Sequence, residues 1–190
     1  MTEYMTKHEA VGFFQDVKDL FAQTDKKFQE TDRQFKETDK KIKELSVKIG
    51  QLGGRLGDFV EEMVKPSVVR LFKGRGLDVR HVSQHVTSYD DQGRFLMEID
   101  LLVVDTDTAV AIECKSNCSV EDVEEHLERL SRFKEYFPHY EDFQLFGAVA
   151  AMVMPDDVTR HAYRQGLYVL AQSGDTVLIR NDDQFRPKKW

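Results

Sequence analysis

Two short segments carry charge inside strongly apolar surroundings. Glu98-Ile99-Asp100 lies within FLMEIDLLVV, residues 95–104, and Glu113-Cys114-Lys115 ends AVAIECK, residues 109–115. Both runs predict strands, and Asp105–Thr108 predicts the tight turn joining them as a hairpin. Pairing about that turn sets Asp100 opposite the Glu113 region. Alternate strand residues share a face, so Glu98 points with Asp100, and Glu113 with Lys115. Charges buried among Ile99, Leu101, Leu102, Val110, Ala111 and Ile112 are costly unless paired or bound to a metal ion. A hard divalent cation takes carboxylate oxygens. Held between Asp100 and Glu113, it could bind a phosphate oxygen and acidify a water. Lys115 could then orient that water or stabilise charge building on the phosphate.

The elements that must position these groups are legible around them. Helical spacing at Leu56, Phe59, Val60, Met63 and Val64 precedes Pro66, where a kink or restart is expected, and runs on through Phe72 to Gly74 and Gly76. Gly53, Gly54 and Gly57 are expected to loosen the start of that stretch. Leu77–Val86 alternates as a strand, and Asp90–Gly93 is a turn. Ser119, with Asp122 three residues on, is a helix N-cap, and Val120, Val123, Leu127, Leu130, Phe133 and Phe137 make that helix's apolar stripe. Leu145–Met154 reads as a strand buried on both faces. A short helix to Gln165 and strands at Leu167–Ala171 and Thr176–Arg180, around Ser173-Gly174-Asp175, complete the order α-β-β-β-α-β-α-β-β. The class is α/β, with a mixed sheet between helices.

The first quarter is different. It repeats FAQTDKK, FQETDRQ, FKETDKK and IKELSVK, so Phe14, Phe21, Phe28, Phe35, Ile42 and Ile49 share one heptad position. Val17, Thr24, Thr31, Thr38, Leu45 and Leu52 follow three residues later, which is the a/d spacing of a coiled coil. So narrow an apolar stripe needs partner helices, and another copy of the chain is the simplest source. Residues 14–52 would span about 58 Å as a helix. Strand number and direction stay open. The expected division is an oligomerisation helix over 1–52 and a second domain over 53–190.

Composition sets outer bounds. The 190 residues are 41% hydrophobic and 32% charged, which suits folded structure. No apolar run approaches the ~20 residues of a membrane span. Met1–Glu9 lacks signal-peptide character, so a cytoplasmic location is expected. Cys114 and Cys118 fit a reducing compartment, not a zinc site. The net charge of −7 falls entirely on residues 53–190, since residues 1–52 balance 10 basic against 10 acidic side chains. An acidic domain repels phosphate unless basic groups or bound cations offset it locally.

Glu-Ile-Asp-Leu, twelve residues from Leu101 to Ile112, then Glu-Cys-Lys resembles the PD-(D/E)xK nuclease signature, and the element order from residue 55 to about 154 resembles that family's αβββαβ, restriction-endonuclease-like core. The nearest resemblance is to a bacterial, often cyanobacterial, group with an N-terminal coiled coil; the Gly-rich helix start also resembles small endonucleases related to archaeal Holliday-junction resolvases. The resemblance implies DNA phosphodiester hydrolysis with Mg²⁺ or Mn²⁺ and no organic cofactor. It implies metal at Asp100 and Glu113, with Lys115 catalytic, and a metal-binding carboxylate on the first helix. Glu61 is favoured for that carboxylate; Glu62 and Asp58 are the alternatives. Cys114 would meet the metal through its backbone carbonyl, in a slot more often branched aliphatic, and no proline precedes Asp100. The resemblance covers about 100 residues and leaves the coil aside. His81, His85, His126, His139 and His161 show no ligand spacing, and Lys188-Lys189-Trp190 reads as a solvated tail. A reading of another class makes the chain a scaffold whose nuclease-like domain binds nucleic acid or a partner without cutting.

Overall fold

The structure is a computed structural model that describes residues 7–174 and 176–190. The N-terminal reading at Met1–Glu9 therefore lies partly, and the turn residue Asp175 wholly, outside the described residues. Two compact units are distinguished, one ending at Leu52 and one beginning at Gly53. Helix α1 (Lys7–Lys73) contributes to both.

Within the first unit α1 is a single helix whose a/d stripe is exposed, including Phe21, Phe28, Phe35, Ile42, Leu45 and Ile49. Neither the glycines at 53, 54 and 57 nor Pro66 breaks α1, against the expectation from their types. Around Pro66 the packing of Val60, Val64, Val68 and Phe72, all fully or nearly fully buried, holds the helix. Burial of that face outweighs the local cost of Pro66.

The second unit places six strands in the order β1 to β6: β1 (His81–Tyr89), β2 (Phe95–Val104), β3 (Thr108–Asn117), β4 (Gln144–Val153), β5 (Tyr168–Ser173) and β6 (Thr176–Ile179). β1–β2, β2–β3 and β5–β6 are antiparallel, while β3–β4 and β4–β5 are parallel. Helix α2 (Val120–Tyr136) crosses from β3 to β4, a 3₁₀ turn (Pro138–Tyr140) follows it, and α3 (Asp156–Arg164) crosses to β5. The class is α/β with a mixed sheet, and α1 β1 β2 β3 α2 β4 gives the αβββαβ order. The last turns of α1 cover one face with Leu101, Val103, Val110 and Ile112; α2 and α3 cover the other with Ile99, Leu102, Ala111 and Val149. Ser119 caps α2 in a reciprocal capping box with Asp122, as its spacing predicts.

Three local features depart from the sequence reading. β1 begins at His81, not Leu77, because Arg75, Gly76 and Leu77 instead turn back onto the Phe72 and Lys73 carbonyls through backbone hydrogen bonds. The C-terminus is packed, not a solvated tail: Lys188 and Trp190 donate backbone N–H groups to Gly166 and Leu145. Finally, strict alternation fails in the β1–β2 ribbon. Val82 and Leu101 pack on the α1 side, yet Val86 and Ile99, at the same parity, pack on the α2 side. The reversal falls at His85 and Asp100, which lie between the ladder pairs Gln84–Leu101 and Val86–Ile99. His85 supplies it with a φ of 49°, unusual for a residue that is not glycine.

Candidate active site

The β2–β3 ladder runs from Val104–Ala109 to Leu101–Ile112 and stops there. β2 continues along β1 toward Phe95, whereas β3 continues along β4 to Asn117. The strands part where Asp100 and Glu113 stand, opening a cleft of about 380 Å³ lined by Met97, Glu98, Asp100, Glu113, Arg129 and Tyr136, among others. The expected meeting of Asp100 with the Glu113 region is thus at a fork in the sheet.

Asp100 Oδ2 accepts the backbone N–H of Cys114 at 2.7 Å. Burial and the neighbouring Glu113 carboxylate still push the Asp100 carboxyl up to about 7. Glu113 is buried and carries cations on both sides: Lys115 Nζ at 3.1 Å from Oε1 and Arg129 at 2.6 Å from Oε2. His126 Nδ1 lies 3.9 Å from the same Oε2, while its Nε2 sits 3.2 Å from the Ala111 carbonyl. Burial drives the His126 imidazole down to about 4, so it stays neutral near pH 7. Lys115 also pairs with Asp122 Oδ1 at 3.3 Å. Burial works to lower the Lys115 pKa, but the Glu113 and Asp122 carboxylates together outweigh it and the ammonium is raised overall.

Glu61 reaches the site from α1. It is buried, and its Oε2 lacks a hydrogen bond. Burial raises its carboxyl above the ordinary range against the opposing pull of His85. His85 Nε2 lies 3.3 Å from that oxygen, and His85 Nδ1 lies 3.1 Å from Glu98 Oε1. The hydrogen bond to Glu98 leads the causes that raise the His85 pKa. Asp58, Glu61 and His85 bring ligand atoms within 4.8 Å of one another. Glu62, the other helix alternative, is exposed and accepts from Gln84 at 3.2 Å. The Cys114 thiol packs on the α1 side among Val60 and Ile112, and burial pushes its pKa up, which leaves only the backbone to face the cleft.

His85, His126 and Arg129 escaped the sequence reading. The histidines have no mutual spacing because their partners come from different elements. Arg129 had one readable sign: His126, Arg129 and Leu130 follow the buried stripe of α2, so a cation there faces the sheet edge.

Residues 18–97 match the model of a family described as a protein of unknown function, DUF3782. No curated protein matches the sequence. Among solved structures, the chain is similar to a repair endonuclease from Pyrococcus abyssi (16% identity, 57% of this chain and 45% of that one, TM-score 0.34). It is also similar to EndoMS in a double-stranded DNA complex (12%, 59% and 44%, TM-score 0.35). The small subunit of the heterodimeric restriction endonuclease R.BspD6I is a third (18%, 62% and 72%, TM-score 0.32). The chain thus spans less than half the length of the first two. Among the described residues, no helix is long and apolar enough to cross a membrane.

Proposed function

We propose that the unit from Gly53 onward hydrolyses phosphodiester bonds in DNA with Mg²⁺ or Mn²⁺. The observation that carries this reading is Asp100: a half-buried carboxyl pushed up to about 7 beside Glu113, at the fork between β2 and β3. A divalent cation fits that donor set, because it would compensate carboxylates that the protein itself leaves crowded. Asp100, Glu113 and the Cys114 carbonyl would hold it, with Glu61 assisting through its orphaned oxygen. Bound there, the ion would polarise a phosphate oxygen and acidify a water. Lys115, steadied by Asp122, would orient the attacking water or stabilise charge on the phosphate. Arg129, ion-paired to Glu113 yet still 27% exposed in the cleft, would turn the exposed part of its guanidinium to a phosphate oxygen. Its charge would offset part of the acidity of the unit.

The same reading takes residues 14–52 as a self-associating coil that brings active sites together. Cys114 and Cys118, both free, suit a reducing cytoplasm.

One observation favours the scaffold reading instead. Glu113 is already paired with Lys115 and Arg129, so the cluster is partly satisfied without metal. The deciding experiment is cleavage of linear, nicked and branched DNA by purified protein with Mg²⁺ or Mn²⁺. Activity must vanish in Asp100→Ala and Lys115→Ala; no activity, together with no Mn²⁺ heat above that of Asp100→Ala/Glu113→Ala, selects the scaffold.

A further inference from the structure

We infer that the heptad segment associates in parallel with other copies of this chain, all helices running the same way. The inference refines the self-association proposed above and does not depend on catalysis.

The seam is suited to burial despite its threonines. Phe21, Phe28 and Phe35 are 68%, 69% and 66% exposed in the single chain, with Ile42, Leu45 and Ile49 exposed beside them. Between the rings, Thr24 donates its hydroxyl to the Leu20 carbonyl and Thr38 to the Gln34 carbonyl, each at 2.8 Å. At these two of the three d-position threonines the hydroxyl is satisfied within its own helix, which leaves the methyl group to meet a partner. A seam of rings and methyls loses little by leaving water.

Charge on the flanks sets the direction. The position after d reads Lys18, Asp25, Asp32, Asp39 and Ser46, and the position before a reads Leu20, Lys27, Gln34, Lys41 and Lys48. The centre of one flank is acidic and the other is basic. An antiparallel pair sets each flank against its own kind, aspartate facing aspartate and lysine facing lysine. A parallel pair sets the basic flank of one helix against the acidic flank of the next, five residues on. Lys27 then meets Asp32 of a second copy, and Gln34 meets Asp39. Like charges across a seam are repulsive, so only the parallel arrangement is free of the conflict. In it, every copy continues past Leu52 at the same end of the coil.

The test uses the full-length chain with Thr24→Cys or Leu45→Cys, each oxidised alone and in mixture, alongside sedimentation of the unsubstituted protein. Parallel association predicts that both variants cross-link to their own kind and that the parent, an oligomer in solution, stays unlinked. An antiparallel pair can self-link at one of these sites at most, so links that form only on mixing, or at a single site, overturn the inference. A monomeric parent overturns it as well. Linking is read without activity, so Asp100→Ala in the same background must link equally well even if no DNA is cut.

Discussion

The Asp100 carboxylate accepts the Cys114 backbone N–H at the first position beyond the β2–β3 ladder. A side chain thus replaces the interstrand bond that the backbone gives up, and the fork is held open while remaining satisfied. The bond also fixes one carboxylate oxygen of a group whose pKa the nearby Glu113 raises.

Asp100 should cost the metal-free protein stability at neutral and alkaline pH. Its folded pKa, raised to about 7, exceeds the unfolded value of about 3.9, so the folded state binds the extra proton. The contribution is full below about pH 4 and is lost as pH rises through about 7. Asp100→Asn keeps an acceptor for Cys114 but cannot ionise. Thermal melts without metal should show the variant gaining a few °C over the parent at pH 8, roughly 1 kcal/mol, and little at pH 4. Equal differences at both pH values would contradict this.

Mn²⁺ should raise the melting temperature of the parent, and more at pH 8 than at pH 6, because at the lower pH a proton competes for Asp100. Stabilisation follows saturation and is about 2.7 kcal/mol at one hundred times the dissociation constant. Asp100→Ala/Glu113→Ala should show no metal-dependent rise, and chelation should return the parent to its metal-free value.

His126 titrates with the opposite sign. Its folded pKa of about 4 lies below the unfolded value of about 6.5, so stability is present above about 6.5 and is lost as pH falls toward 4. His126→Gln should be less stable at pH 7, because the ring is wholly buried, but flatter between pH 6.5 and 4. Denaturant melts across that window would show it; a slope matching the parent's would exclude His126 as the source.

Removing Arg129 should separate folding from cleavage. Arg129→Ala leaves Glu113 its Lys115 partner, so a loss of 1–3 kcal/mol is expected. Cleavage should fall about 100-fold if the guanidinium also meets the phosphate. Arg129→Lys should recover most of the stability and little of the rate, since an ammonium lacks the planar fork. Full recovery of both would reduce Arg129 to a counterion.

A packing prediction concerns Gly147 on β4. A Cβ there would run into side-chain atoms of Leu130 and come within 2.5 Å of Leu167. Both leucines are fully or nearly fully buried and have little room to yield. Gly147→Ala should cost 1–3 kcal/mol by overpacking between the sheet and α2, read as an earlier denaturation midpoint.

Much of this architecture was legible because periodicity reports burial. The apolar run of β2 around Glu98 and Asp100, the apolar run of β4 and the Ser119–Asp122 box each depend on neighbours in sequence. The pleat reversal at His85 was not legible: a left-handed histidine in a strand is set by contacts with Glu61 and Glu98, which come from other elements. The pairing of Asp100 with the Glu113 region followed from the short turn between their strands. Arg129 and His126 reach the same place only through the crossover of α2, whose packing against β3 no local pattern encodes. Pro66 misled for a related reason, since propensity yields to the buried face of Val64 and Val68, whereas no packing explains the helix through Gly53 and Gly57, beside which Leu56 and Phe59 are exposed.

Asp122 both closes the first turn of α2 and tethers Lys115. Hydrogen bonds from Ser119 and Lys115 outweigh the opposing effect of burial and hold its carboxyl below the usual range. The Lys115 ammonium and the onset of the helix therefore share one anchor. The two duties fall on different oxygens, Oδ2 accepting from Ser119 and Oδ1 facing Lys115, so the ammonium can swing toward a ligand while the first turn stays clasped.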